Sequence, residues 1–299
     1  MKSFTESRNL FGKFTKNTSS DNLTFGDQIM NDEHRHICSL RDWYFLHRTR
    51  TMTTSASTQF KPLPYDVDQV ESVFVTVSTK RYTPKLITSR EQWDLLNVIS
   101  VTSDIPTYAY VYDGQLGLWP IPATSSNVIT VNAKVRVIDL SVADYTTGNV
   151  SDIANGAVAV TGSGTSWTER MGGRWMRLTM SDTANTGDGL WYEISGVTTS
   201  TALSLVRSYG GTTIAAGGAA YTIGQMWLLP EDFQDLPVYA AATAYWLKEA
   251  DPKRASGFQE LYNSKLKSLK EQRNAPITDL VIDDGINRQI INPNLTISL

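Results

Sequence analysis

The sequence predicts an α+β chain: a helical core carrying a small β-sheet, an inserted all-β sandwich or barrel module, and an extended C-terminal arm. Three observations carry this expectation. Apolar residues recur at helical spacing twice, over residues 22–46 and again over residues 229–273. Between them, residues 145–226 lose that period and break into short β-like runs bounded by Gly, Ser, Asn and Asp. Beyond Arg273 the helical period ends, yet the chain stays apolar. The expected organisation is therefore an N-terminal arm (1–20), a discontinuous core (21–144 and 227–274), the insert (145–226) and a C-terminal arm (275–299).

Residues 1–20 are polar, rich in Ser, Thr and Asn, and carry Lys2, Arg8, Lys13 and Lys16, which reads as an extended arm. In the first helix Phe25, Ile29, His36, Ile37, Leu40, Trp43 and Tyr44 form one stripe, with Thr24 and Asp27 spaced as a capping box. A Thr/Ser run follows at 49–58. The stretch QFKPLPYDVDQVESVFVTVST alternates as a strand after a Pro-interrupted lead-in. SREQWDLLNV reads as a short helix capped by Ser89. TYAYVYDGQLGLWPIP is a hairpin about Asp113-Gly114, and VITVNAKVRVIDL is a further strand. In the insert, GAVAVTG, RWMRLTM, GLWYEIS, TALSLVR and AAYTIG are the strand candidates. Val238, Ala241, Ala242, Tyr245 and Trp246 then mark a helix stopped by Asp251-Pro252. Phe258, Leu261, Tyr262, Leu266 and Leu269 mark the next, and the small alanines allow close packing of the pair.

Composition narrows the function. With 27 Lys+Arg against 30 Asp+Glu the net charge is -3, whereas a chain living on phosphate contacts carries a basic excess. One cysteine, Cys38, excludes an internal disulfide framework and suits a reducing compartment. The N-terminus lacks the apolar core of a secretory signal. LPVYAAATAYWL is short of the roughly 20 residues needed to span a bilayer, so no membrane association is expected.

The Gly-rich stretch VTGSGTSWTERMGGRWMRL (160–178) invites a phosphate-loop reading, but it lacks the G-x-x-x-x-G-K-[ST] pattern and a following helical stripe. A turn between strands accounts for it. His34 and Cys38 share a helix face while His36 points away, so a metal set is not assembled. Asp182, Asn185 and Asp188 are default loop residues off the spacing of a calcium loop. Glu231, Asp232 and Asp235 precede a helix, where carboxylates complement its dipole. Trp167, Trp175, Trp191 and Tyr192 are either module core or an aromatic platform for sugar. Lys265, Lys267, Lys270 and Arg273 make the last helix end basic, which suits its dipole, or a contact with an acidic partner or with passing DNA. No Ser/His/Asp or Cys/His arrangement stands out, and no cofactor is expected. The apolar residues Ile277, Leu280, Ile282, Ile290, Ile291, Leu295, Ile297 and Leu299 call for a surface on their own chain or a neighbour's, a sheet edge being one.

The order of elements resembles the head-to-tail adaptor (connector or neck) proteins of tailed bacteriophages. The resemblance is carried by SLRDWYFLHRTRTMTTSASTQFKPLPYDVDQVESVFV, by SREQWDLLN ahead of IPTYAYVYDGQLGLWPIPAT, and by LLPEDFQDLPVYAAATAYWLKEADP. VAVTGSGTSWTERMGGRWMRL with GLWYEISGVTTSTALSLVRSYGG looks like a small β module of phage neck and tail proteins. The resemblance implies a non-enzymatic virion protein at the neck, assembled in the host cytoplasm. It implies a ring of about twelve copies docked on the portal protein, extending the channel for genomic DNA without sequence-specific binding. Below the ring it implies contact with tail, nozzle or tail-fibre proteins. The competing expectations are a carbohydrate- or receptor-binding tail protein acting through the β module, and a cell-wall hydrolase, for which convergent acid and base residues are missing.

Overall fold

Residues 1–20, expected as an extended arm, are mostly helical in the computed structural model, which describes residues 1–64, 66–180, 186–215 and 218–272. Helix α1 (Phe4–Thr15) starts at a reciprocal cap: the Glu6 amide donates to Ser3 Oγ (3.1 Å) and the Ser3 amide to Glu6 Oε2 (3.0 Å). Phe4 and Phe11, seven residues apart on one face, are buried, which corrects the reading of this stretch as an arm. Asn22 then closes the turn into α2 (Ser20–Ser39), donating from Nδ2 to Thr15 Oγ1 (3.0 Å) and to the Asn17 carbonyl (2.7 Å).

Helix α2 departs from its expected stripe. Ser19 Oγ caps it by accepting from the Asn22 amide, and Thr24 lies inside the helix, bonded to the Ser20 carbonyl. Its buried positions are Asn22, Gly26, Met30, His34, Ile37 and Cys38, while His36 is exposed. The helix ends at Ser39, so Trp43 packs from beyond it, its indole donating to the Ile37 carbonyl at 2.7 Å.

The chain continues through β1 (His47–Thr53), β2 (Phe60–Pro62), β3 (Val67–Val77), β4 (Lys80–Tyr82), β5 (Lys85–Ile87), α3 (Arg90–Leu96), β6 (Tyr108–Tyr112), β7 (Gln115–Trp119) and β8 (Val128–Val135). The Thr-rich residues after Leu46 thus include a strand, as β-branched side chains favour. Two four-stranded sheets result, in the orders β1-β8-β3-β4 and β2-β7-β6-β5, with only the β5–β6 pair parallel. Val73, Val75, Ile129 and Val131 of the first sheet share one core with Ala109, Leu116 and Leu118 of the second. Each large aliphatic buried there contributes about 1.5–3 kcal/mol. The β6–β7 hairpin turns at Asp113 (φ 49°) and Gly114 (φ 68°), the left-handed pair that an Asp-Gly turn supplies. Ser89 caps α3 by accepting from the Gln92 amide.

The insert holds β9 (Asn149–Asp152), β10 (Ala159–Ser163), β11 (Trp175–Leu178), β12 (Trp191–Thr199), β13 (Ala202–Leu205) and β14 (Tyr221–Gly224). They form one antiparallel sheet, β14-β11-β12-β13-β10-β9. Backbone bridges Tyr145–Ile223, Val150–Ala219 and Ile153–Ile214 join its two ends, so the sheet curls around its own core.

Helices α4 (Leu236–Lys248) and α5 (Pro252–Gln272) follow. All five residues expected on the α4 face are buried, with Ala255, Tyr262 and Leu269 of α5, whereas Leu261 is half exposed. The described residues divide into two compact units, one of Met1–Ser7 with Asn31–Pro230, the other of Arg8–Met30 with residues 231–272. In the second unit Phe14 stacks on Tyr239 (6.0 Å) and packs on Phe258 (5.1 Å).

Candidate interaction surfaces

The basic residues of α5 have separate roles. Lys265 donates from Nζ to the Asp232 carbonyl (3.0 Å) and to Asp235 Oδ2 (3.3 Å), tying the turn before α4 to α5. Lys267 is largely exposed, 3.8 Å from Glu271 one turn on. Lys270 is half-buried. Arg273 and the apolar Ile277, Leu280, Ile282, Ile290, Ile291, Leu295, Ile297 and Leu299 lie outside the described residues.

The four aromatic residues singled out in the module do not share an exposed face. Trp167 is in the core, its indole donating to the Tyr221 hydroxyl at 2.8 Å. Tyr192 is also buried; its hydroxyl donates to Asp188 and accepts from the Gly210 amide. Trp175 and Trp191 are half-buried, the second beneath the Arg177 guanidinium at 4.5 Å. The Gly-rich stretch is a turn folded over Trp167: a Cβ at Gly162 would lie 2.7 Å from Thr165 and from that indole.

His34 and Cys38 are buried on one face of α2 and His36 faces away, as their spacing implies. Burial pushes the Cys38 thiol up to about 12, leaving it a weak nucleophile. Among the described residues no three His, Cys, Asp or Glu side chains converge as metal ligands. Asp182 and Asn185 lie outside the described residues, and Asp188 is engaged by Tyr192 and the Leu190 amide.

Two features escaped the sequence reading. The first is a nearly buried ionic cluster. Arg50 binds Asp66 through Nε (2.9 Å) and Nη2, and its Nη2 lies 3.0 Å from Glu193 Oε1; Arg48 Nη1 lies 3.3 Å from Glu193 Oε2. Burial lowers the pKa of Arg48 against the pull of Glu193. Burial opposes the charge of Arg50 too, but Asp66 and Glu193 together outweigh it and raise the pKa. The cluster joins β1 to β12, strands far apart in sequence, and no local pattern announces it.

The second is a cleft of about 400 Å³ between α3, the start of β2 and the β6–β7 hairpin. Arg90, Trp93, Asp94 and Asn97, at i, i+3, i+4 and i+7, turn one face of α3 toward it. Trp93 stacks on Tyr110 (5.2 Å), Tyr110 lies parallel to Tyr112 (6.1 Å), and the Arg90 guanidinium sits 4.8 Å over Tyr112. Asp113 stands exposed on the hairpin turn that lines the cleft. The signal was present in the Tyr-x-Tyr alternation of β6 and the helical spacing of α3.

No curated protein matches the chain. A family model does: that of the SU10 adaptor protein matches residues 8–160, just over half of the 299, running from α1 to β10. Its span takes in both four-stranded sheets, the α3 cleft and the first strand of the module. On that match the chain belongs to the SU10 adaptor family of phage adaptor or connector proteins.

Proposed function

We propose that this chain is a non-enzymatic structural component of a tailed-phage virion, a head-to-tail adaptor that docks on the portal protein as a ring. The ring, of about twelve copies by the resemblance drawn above, extends the DNA channel and carries tail or nozzle proteins below. The observation that carries the reading is the family match over residues 8–160. Two features of the sequence support it. The net charge of -3 suits a conduit, since a strongly basic lumen would hold the phosphates of passing DNA. The apolar residues between Ile277 and Leu299 suit an arm that lies on a partner, where repeated weak contacts around a ring gain avidity. Trp167 and Tyr192 are core residues, which removes two of the four aromatic residues from the glycan-binding alternative.

Electron microscopy of the purified chain mixed with its virus's portal tests the reading. A new ring layer on the portal is expected, and a chain lacking residues 275–299 should fail to add it. A full-length chain that leaves the portal bare would overturn the adaptor assignment.

A further inference from the structure

We propose that the α3 cleft of one copy receives the basic and apolar segment 267–282 of a second copy, giving a contact between two different surfaces of the chain. The proposal rests on the adaptor reading for its setting, and on the chemistry of the cleft for its content.

That chemistry selects a cation. Ring faces carry partial negative charge, and Trp93, Tyr110 and Tyr112 line up along the cleft. Asp94 and Asp113 set two carboxylates against the single cation Arg90, and the Asp113 carboxylate has no partner among the described residues. Arg90, with its side chain 63% exposed and laid over Tyr112, shows that a guanidinium fits the surface. At the end of α3 the chain exposes Leu95, Val98 and Ile99 at 70–77%, followed by Ile105 at 47%, none of them lining the cleft itself. Apolar residues exposed singly need no explanation, but such a run marks a contact surface.

A complementary segment therefore carries cations followed by apolar residues, and the chain holds one. Residues 267–282 hold Lys267, Lys270 and Arg273 against Glu271 and Asp279, a net positive charge, with Pro276, Ile277, Leu280 and Ile282 in their second half. Donor segment and acceptor cleft are different surfaces, so the contact is heterologous. Such contacts propagate from copy to copy and close into rings, whereas a self-complementary patch stops at a pair.

The test uses the full chain, alone and mixed with portal, with copy-to-copy association measured by native mass spectrometry and sedimentation. Tyr112→Ala, the pair Asp94→Lys with Asp113→Lys, and the pair Lys267→Glu with Arg273→Glu should each weaken association by about ten-fold or more. All the substituted side chains described by the structure are exposed or line the open cleft, and an unchanged thermal midpoint will confirm folding. Combining the two charge reversals should restore association to near the wild-type level, a rescue that general destabilisation could not produce. Cleft variants that associate like wild type, or a combined reversal that stays as weak as either half, would overturn the proposal. A wild-type chain that binds the portal singly, with no contact between copies, would overturn it while leaving portal docking intact.

Discussion

His34 couples the stability of the first unit to pH. It is 1% exposed, its ring lies edge-on to Trp227, and its Nε2 accepts from the Leu228 amide at 3.2 Å. Burial, with a smaller push from Arg35, lowers its pKa from 6.5 to about 3. The unfolded chain therefore binds a proton below 6.5 that the folded chain refuses, and stability falls as pH drops through that window. The expected loss from this residue is about 1.2 kcal/mol between pH 6 and pH 5, above the range where carboxylates dominate. Urea titrations at several pH values should show it, and His34→Gln should reduce it; an equal loss in the variant would remove His34 as the cause. This environment was not legible beforehand. The sequence put His36 on the buried stripe, because helical phase was fixed on Phe25 and Ile29 while Met30 and Cys38 are the residues that point inward.

At the scale of elements, turn chemistry was read well and polar helices were read poorly. Asp113-Gly114 and Ser89 announce themselves because each sits where one backbone conformation or one cap is required. Helix α1 hid behind its polar composition, although Ser3 and Glu6 spell a capping box and Phe4, Phe11 and Phe14 keep helical spacing. Within the second unit that helix meets α2 through Gly26, where a Cβ would lie 2.3 Å from the Phe11 ring. Phe11 is fully buried. Gly26→Ala gains about 1 kcal/mol of helix propensity but must displace a core ring, which typically costs 1–3 kcal/mol or more, so a net loss of about 1 kcal/mol is expected. Chemical denaturation checks the value, and pairing it with Phe11→Leu should return most of the loss. A Gly26→Ala chain more stable than the parent would show that the two helices are not in close contact there.

Across the whole molecule, the β insert was visible as a change of composition, and its five expected strands are all present with β9 added. Among the described residues its buried cluster runs from Val150 and Trp167 to Tyr221 and Ile223, with Tyr145 packed against it. Residues 145–226 made alone should accordingly fold, with a cooperative thermal transition and dispersed amide resonances; a collapsed, non-cooperative product would show that the module depends on its host. The α3 cleft was not legible, since it is built from residues far apart in sequence.

The ionic cluster of Arg48, Arg50, Asp66 and Glu193 carries a consequence for how such a chain can change over generations or at the bench. Glu193 is the only member contributed by the insert, and it neutralises two arginines of the host sheet that are only 14–20% exposed in their side chains. Replacing Glu193 while the insert stays in place would leave that pair, still covered, with Asp66 alone, a stranded charge costing on the order of several kcal/mol. A change on one side of this contact therefore calls for a matching change on the other: the carboxylate can be lost cheaply only where Arg48 or Arg50 is lost with it.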